Sequence, residues 1–130
     1  MSTTQHHNGQ NLLDELANHP DVFERIKYLI PNEMPHEQHI VARDGDKIIG
    51  ICGTQPSPYD NTVLWVKFVS VDPEHQNQGV ATLLLKDLFQ RFDGSNLTLE
   101  MSTYTKQGEE RIKHIVARLK NKHPNLSVLG

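Results

Sequence analysis

The chain has 130 residues, a mass of 14.8 kDa and 36% hydrophobic residues, which is enough for one compact domain. Its formal net charge of -3 and pI near 6.2 argue against a general nucleic-acid binder. No apolar run approaches the roughly 18 residues of a membrane span, and the N-terminal MSTTQHHNGQ lacks the charged-then-apolar order of a signal peptide. We therefore expect a cytoplasmic protein with a disordered tail at residues 1–9 and a single domain at residues 10–130.

The single cysteine and the histidines point away from thiol and metal chemistry. Cys52 cannot form an internal disulfide, and its position inside the apolar run IIGICG predicts a buried, inert thiol. The pair His36-x-x-His39 has a spacing found in metal sites, but no second pair or cysteine cluster accompanies it. We therefore expect scattered surface histidines and no bound metal.

Basic residues are concentrated in the last quarter of the chain, on one predicted helix. They are Lys106, Arg111, Lys113, Arg118, Lys120 and Lys122. A solvated helix face accounts for them better than a patch for nucleic acid or phosphate, which stays open as an alternative.

The first half of the chain contains two apolar stripes with helical spacing and then three strand-like runs. The first stripe, which breaks at Pro20, consists of Leu12, Leu13, Leu16 and Ala17. The second, which ends at Pro31, consists of Val22, Phe23, Ile26, Leu29 and Ile30. HIVAR and KIIGICGT, separated by Asp44-Gly45-Asp46, predict a β-hairpin. NTVLWVKFVSV is apolar on both faces, which is typical of a central strand covered by helices.

The second half continues with alternating helices and strands. The stripe that predicts the third helix, ending at Asp93-Gly94, consists of Ala81, Leu84, Leu85, Leu88 and Phe92. LTLEM predicts a strand with alternating faces, an amphipathic helix runs from about Thr105 to before Pro124, and NLSVL is a candidate final strand. The order of these elements predicts an α/β (α+β) sandwich around a mixed, mostly antiparallel sheet.

A polar bend joins the central strand to the third helix in the stretch VDPEHQNQGVATLLL. The first N–H groups of a helix have no internal acceptor and carry partial positive charge, so they form an anion site unless a side chain caps them. Asn77 could serve as that cap. Gly79 and Ala81, in contrast, are small and leave the approach to the amides open. An ordinary helix start and an anion site both remain open on these residues alone.

The bend resembles the acyl-CoA signature Gln/Arg-x-x-Gly-x-Gly/Ala of the GNAT N-acetyltransferase superfamily, through Gln76-x-x-Gly79-x-Ala81. The resemblance covers about residues 39–121, with strand, Asp-Pro-Glu loop, signature and helix in the family's order. It implies that acetyl-CoA is the co-substrate and that backbone N–H groups of the signature cradle its pyrophosphate. The residues that take this role are Gln76, Asn77, Gln78, Gly79, Val80, Ala81 and Thr82.

The resemblance also implies the rest of the cofactor site. Backbone groups of Phe68, Val69 and Val71 would contact the pantetheine arm and the thioester carbonyl, where N–H donors stabilise developing charge. LTLEM would splay away from this strand and leave a slot for the acetyl group.

The implied reaction is direct acetyl transfer to a primary amine, with Glu100 as candidate base and Tyr104 as candidate acid. A surface carboxylate and a half-buried tyrosine are the alternative roles of these two residues. Two departures from family patterns bear on catalysis. Trp65 stands where histone-acetylating members carry a glutamate, and the common Asn-x-x-Ala...Tyr sequence is missing. A catalytically degenerate protein that binds acyl-CoA or a protein partner therefore remains the alternative.

The acceptor side is less well specified. Family members usually end with two more strands that wall the acceptor site, whereas only NLSVLG follows the last predicted helix. An open groove for a large acceptor, or a wall supplied by a second subunit, would follow, so we expect a homodimer. Glu33 and Glu37, in the loop PNEMPHEQ, could attract a cationic amine or simply be solvated.

Overall fold

The computed structural model describes residues 2–17, 23–33, 37–76, 78–101 and 109–129. The strands are β1 (Ser2–Asn8), β2 (Gln38–Asp44), β3 (Lys47–Pro56), β4 (Val63–Val71), β5 (Thr98–Met101) and β6 (Ser127–Leu129). The helices are α1 (Gly9–Leu16), α2 (Glu24–Glu33), α3 (Val80–Phe92) and α4 (Glu109–Lys122), with a short 3-10 turn at Pro73–His75. The predicted mixed α/β architecture is confirmed.

The strands form one six-stranded sheet in the order β1-β2-β3-β4-β5-β6. β1 to β4 pair antiparallel, whereas the β4–β5 and β5–β6 pairs are parallel. The β4–β5 connection contains α3, as a parallel crossover requires. Each helix of the described segments is too short or too polar to cross a membrane.

Apolar side chains from the two faces of the sheet form separate cores. On one face, α3 and α4 bury residues that include Leu84, Leu88, Leu99, Ile115 and Leu119. On the other face, α1 and α2 cover a smaller cluster that includes Leu12, Leu16, Ile30, Ile51 and Phe68. β4 contributes to both clusters, which explains why its sequence is apolar without clear alternation.

The expected disordered tail at residues 1–9 is wrong for residues 2–8, which form β1 and pair along their whole length with β2. Side-chain contacts reinforce this pairing. Arg43 donates from Nε to Oε1 of Gln5 at 2.7 Å, and Nε2 of His6 lies 3.0 Å from Oδ1 of Asp87 on α3. Because these anchors are polar and the ladder uses only backbone, the hydrophobic pattern of STTQHHN could not indicate a strand.

Three other local expectations can be compared with the structure. Pro31 lies inside α2 and does not end it, since the helix continues to Glu33 and a proline in the last turn costs only one backbone hydrogen bond. His39 is fully buried and packs 6.2 Å from the Phe68 ring, so it is not a surface histidine. Cys52 is fully buried, as predicted.

Candidate functional site

The candidate site lies along the second half of β4, beyond its described pairing with β5. The parallel pairing of the two strands begins at Val63 with Thr98 and ends at Val66 with Met101. β4 then continues to Val71, whereas residues 102–108 lie outside the described part of the chain. The second half of β4 therefore has no paired β5 residue among those described, and we call this side of β4 the opening that the resemblance predicts.

A β-bulge in β4 coincides with the start of this opening. The register with β3 shifts between Gly53, which pairs with Phe68, and Thr54, which pairs with Val66. Lys67 is therefore an extra residue on β4. An extra residue reverses the side to which every later N–H group points.

Two hydrogen bonds establish the directions before and after the bulge. Before it, the carbonyl of Thr62 accepts from the N–H of Thr98, so even-numbered residues of β4 point toward β5. After it, the N–H of Asp72 donates to the carbonyl of Ile49, so even-numbered residues point toward β3. The odd-numbered residues of the second half consequently direct their backbone groups into the opening.

This alternation separates the three β4 residues that the resemblance selected. Val69 and Val71 direct their N–H groups into the opening between the strands. Phe68 instead faces β3 with its backbone, and its side chain packs in the α1–α2 core against Gly53, where even a methyl group would meet the ring. The backbone N–H groups of Val69 and Val71 can therefore reach a ligand in the opening, whereas that of Phe68 cannot.

The first turn of α3 presents backbone donors. Gly79 precedes the helix with φ of 80°, a left-handed conformation that favours glycine, and no side chain of the described residues caps the helix. The N–H of Leu83 donates to the Gly79 carbonyl at 3.0 Å. In the described ranges, the N–H groups of Val80, Ala81 and Thr82 have no acceptor. A Cβ on Gly79 would meet nothing within 4 Å, so the space beside Gly79 is open.

The 3-10 turn before α3 has side chains that hold its backbone. Asp72 accepts from the N–H of Glu74 at 3.1 Å, and Lys47 lies 3.4 Å from the same carboxylate. Gln76 donates from Nε2 to the Val71 carbonyl at 3.5 Å, and Gln78 donates to the Glu74 carbonyl at 3.4 Å. Both glutamines therefore support the loop with their side chains, and Asn77 lies outside the described residues.

Glu100 lies on the α1–α2 side of the sheet beside the opening. Its carboxylate accepts from the indole N–H of Trp65 at 2.9 Å, and the two residues are paired across β4 and β5. The Lys67 ammonium is 5.4 Å from the centre of the Trp65 ring. The centres of the Tyr59 and Trp65 rings are 6.2 Å apart. We call these four residues the Trp65 patch. Sequence analysis missed its Lys67 and Tyr59, although the spacing of Trp65 and Lys67 along one strand was a usable signal.

The remaining candidates do not join this group. Tyr104 lies outside the described residues. Glu37 lines a pocket of about 380 Å³ together with His6, Thr54 and Arg91, at the C-terminal half of α3 and on the opposite face from Glu100. No cluster of three metal-binding side chains occurs among residues that the structure describes.

Comparisons with known proteins identify the family and the fold. The family model for the Acetyltransferase (GNAT) family matches residues 8–111. No curated protein matches the chain.

Several solved structures share the fold at low sequence identity. An aminoglycoside acetyltransferase from an uncultured soil metagenomic sample, in complex with trehalose, has a TM-score of 0.62 and 14% identity over 89% of this chain and 86% of its own. Diaminobutyrate acetyltransferase from Paenibacillus lautus, in complex with its substrate and coenzyme A, has a TM-score of 0.60 and 16% identity. The match covers 93% of this chain and 78% of that protein. Ribosomal-protein-alanine N-acetyltransferase from Brucella melitensis biovar Abortus 2308 has a TM-score of 0.58 and 14% identity. The match covers 88% of this chain and 90% of that protein.

Proposed function

This chain belongs to the GNAT acetyltransferase family, and we propose that it transfers an acetyl group from acetyl-CoA directly to a primary amine. The observation that carries the proposal is the first turn of α3 beside the second half of β4. There the N–H groups of Val80, Ala81 and Thr82 have no acceptor in the described segments, and the backbone of β4 faces the same opening. Unpaired amides at a helix N-terminus suit a diphosphate.

The residues present fit the coenzyme. The amides of Val80, Ala81 and Thr82, with those of the preceding signature residues, would hold the pyrophosphate. Gly79 keeps its left-handed backbone and adds no side chain above them. The N–H groups of Val69 and Val71 would contact the pantetheine arm and the thioester oxygen, where hydrogen-bond donors stabilise negative charge as the amine attacks.

Glu100 is the proposed base. An alkylamine has a pKa of about 10.4, so about one molecule in a few thousand is neutral at pH 7 and a nearby acceptor for its proton accelerates attack. The amine nitrogen bonds to the acetyl carbonyl carbon, the carbon–sulfur bond breaks, and the amine proton passes to Glu100. The coenzyme leaves as its thiolate and takes up a proton, for which Tyr104 is the proposed donor.

The acceptors of structurally similar proteins support an amine as the acceptor class. The named proteins act on aminoglycosides, on L-2,4-diaminobutyric acid and on a ribosomal-protein alanine. All three acceptors carry an amino group. Since identities are only 14% to 16%, these structures support the class of acceptor and not its identity.

The decisive experiment measures free coenzyme A thiol and acetylated product when the protein meets acetyl-CoA and a panel of primary amines. We expect turnover with at least one amine, and a loss of about 10² or more in kcat for Glu100→Gln. A greater loss in Glu37→Gln would place the acceptor in the pocket on the opposite face. Calorimetric binding of coenzyme A without product from any amine would contradict the proposal and favour an acyl-CoA-binding protein.

A homodimer is a further part of the proposal. β6 has only three residues, pairs with β5 on one side, and carries Leu129 with 51% of its surface exposed. An edge strand with free backbone groups can pair with a second copy. Light scattering should therefore give about twice the mass of 14.8 kDa, and Leu129→Lys should shift it toward the monomer.

A further inference from the structure

The Trp65 patch combines an aromatic ring with a fixed carboxylate. The indole N–H donates to Oε2 of Glu100 at 2.9 Å, which holds the carboxylate at the ring edge. The Lys67 ammonium lies 5.4 Å from the ring centre, within the range of a cation–π contact. Tyr59 adds a second ring, tilted by 53° to the first and 89% exposed.

The patch borders the opening between the strands. Trp65 and Glu100 form the pair next to the last described one, which is Val66 with Met101. Trp65, Lys67 and Glu100 are only partly buried, so a ligand can reach them from solvent. The patch therefore lies beside the place proposed for the thioester, on the face opposite to α3.

The chemistry of the patch selects a cation. The face of an indole ring attracts an ammonium group, and a carboxylate beside it adds a full negative charge. Lys67 already exploits this preference with its own ammonium. A lysine ammonium is flexible and strongly hydrated, so its contact with a partly exposed ring is weak and exchangeable.

On the basis of the proposed function, we propose that the Trp65 patch receives the acceptor as an unhindered alkylammonium, such as a lysine side chain or a diamine. Lys67 is the resident cation that the acceptor displaces from the ring. Glu100 then faces the ammonium whose proton it is proposed to take, and Trp65 is the positioning residue that holds Glu100. An acceptor with a carboxylate next to its amine is disfavoured, because that carboxylate would face Glu100.

The chain offers a direct probe, because Trp65 is its only tryptophan. Titration with n-butylamine at pH 7 should change the intrinsic fluorescence in a saturable way. Equal concentrations of 1-butanol, which has the same chain without the charge, and of glycine, which carries the adjacent carboxylate, should leave it unchanged. Equal responses to butylamine and butanol would overturn the proposal.

Lys67→Met distinguishes a competing cation from a structural support. Removing a competitor that contributes a surface cation–π contact should tighten butylamine binding about two- to fivefold. Lys120→Met, on the exposed face of α4, is the matched control and should leave the affinity unchanged. Weaker binding in Lys67→Met than in the control would overturn the role given to Lys67.

Steady-state kinetics test Trp65 itself. Trp65→Phe keeps a ring but removes the N–H that holds Glu100, so the KM for the amine should rise about tenfold while the KM for acetyl-CoA stays unchanged. A rise in both constants would indicate a general structural defect and contradict the positioning role. Saturable fluorescence changes without acetyl transfer to any amine would keep this proposal and reject the enzymatic function. Acetyl transfer with unaltered fluorescence would keep the enzymatic function and reject the role of the Trp65 patch.

Discussion

The ammonium of Lys47 lies 3.4 Å from Oδ2 of Asp72 and so ties the start of β3 to the loop that leads into α3. Asp72 is 4% exposed, and its Oδ1 accepts the N–H of Glu74. Burial raises the pKa of Asp72, but the N–H of Glu74 and the Lys47 ammonium outweigh it, so the pKa lies below its ordinary value of 3.8. The ionised carboxylate thus holds the turn from which the signature begins.

Replacing Asp72 by asparagine should separate its charge from its capping role. Asn keeps an oxygen for the Glu74 N–H but leaves Lys47 without its buried partner, so the free energy of unfolding should fall by about 1–2 kcal/mol. Urea denaturation measures this change. Glu74→Gln is the matched control, because Glu74 lies 3.5 Å from the same ammonium with a side chain that is 79% exposed. Its effect should stay within about 0.5 kcal/mol, and equal losses would contradict the assignment.

The same contact predicts a dependence of stability on pH. Because the folded pKa of Asp72 is lowered, its contribution is present above about pH 3.8 and is lost as the pH falls through the folded value. The pKa of Lys47 is raised by its hydrogen bond to Asp72. The contribution of Lys47 to stability is therefore present below about pH 10.5 and is lost as the pH rises through the folded pKa of Lys47. The stability difference between wild type and Asp72→Asn should therefore shrink at both extremes, and a constant difference would refute the ion pair.

Arg43 should be a main determinant of how α1 and β1 attach to the sheet. Its guanidinium donates to both carboxylate oxygens of Glu15 on α1 and, through Nε, to Gln5 on β1. Arg43→Met should lower the free energy of unfolding by about 2–3 kcal/mol, because it removes two charge-assisted hydrogen bonds from a partly buried carboxylate. Arg91→Met removes an exposed guanidinium that contacts His6, and its cost should be below about 1 kcal/mol. Urea denaturation measures the loss of stability in each variant. A larger loss for Arg91→Met than for Arg43→Met would refute the role given to Arg43.

The sequence predicted those elements whose burial leaves a pattern. The stripe of α3 and the alternation of β5 follow from one apolar face each, and the structure has both. β1 has no such face, since STTQHHN is polar and its pairing depends on backbone and on long-range partners such as Arg43. A propensity pattern does not contain those contacts.

The glycine at the start of α3 could be predicted, because a left-handed Gly79 before a helix has a local cause. The bulge at Lys67 could not be predicted, because β4 contributes apolar residues to both cores and no break in its sequence pattern reveals an extra residue. Glu100 was a candidate from its place on β5. Its contact with Trp65 depends on the parallel register of two strands that are 35 residues apart, which no local pattern fixes.

Cys52 should not react with thiol reagents in the folded protein. Burial raises the pKa of its thiol to about 12, with a smaller contribution from Asp87, so the reactive thiolate is absent at pH 8. Ellman's reagent should therefore label no cysteine in buffer and one per chain in urea. The result also matters for assays of coenzyme A release, since the protein would add no thiol signal. Rapid labelling of the native protein would show that this core opens.

Gly79 and Gly94 offer a matched test of the diphosphate cradle. Both are left-handed, with φ of 80° and 82°, and a Cβ on either would meet nothing within 4 Å. Gly79→Glu and Gly94→Glu should therefore each cost about 1–2 kcal/mol of backbone strain. Only the first adds a carboxylate beside the open amides of α3, where it would repel the phosphates and could cap the helix itself. Calorimetry should show a loss of about tenfold or more in coenzyme A affinity for Gly79→Glu alone, since one like-charge contact near a surface supplies that much. Unchanged affinity, or equal losses in both variants, would remove the amides of α3 as the phosphate site.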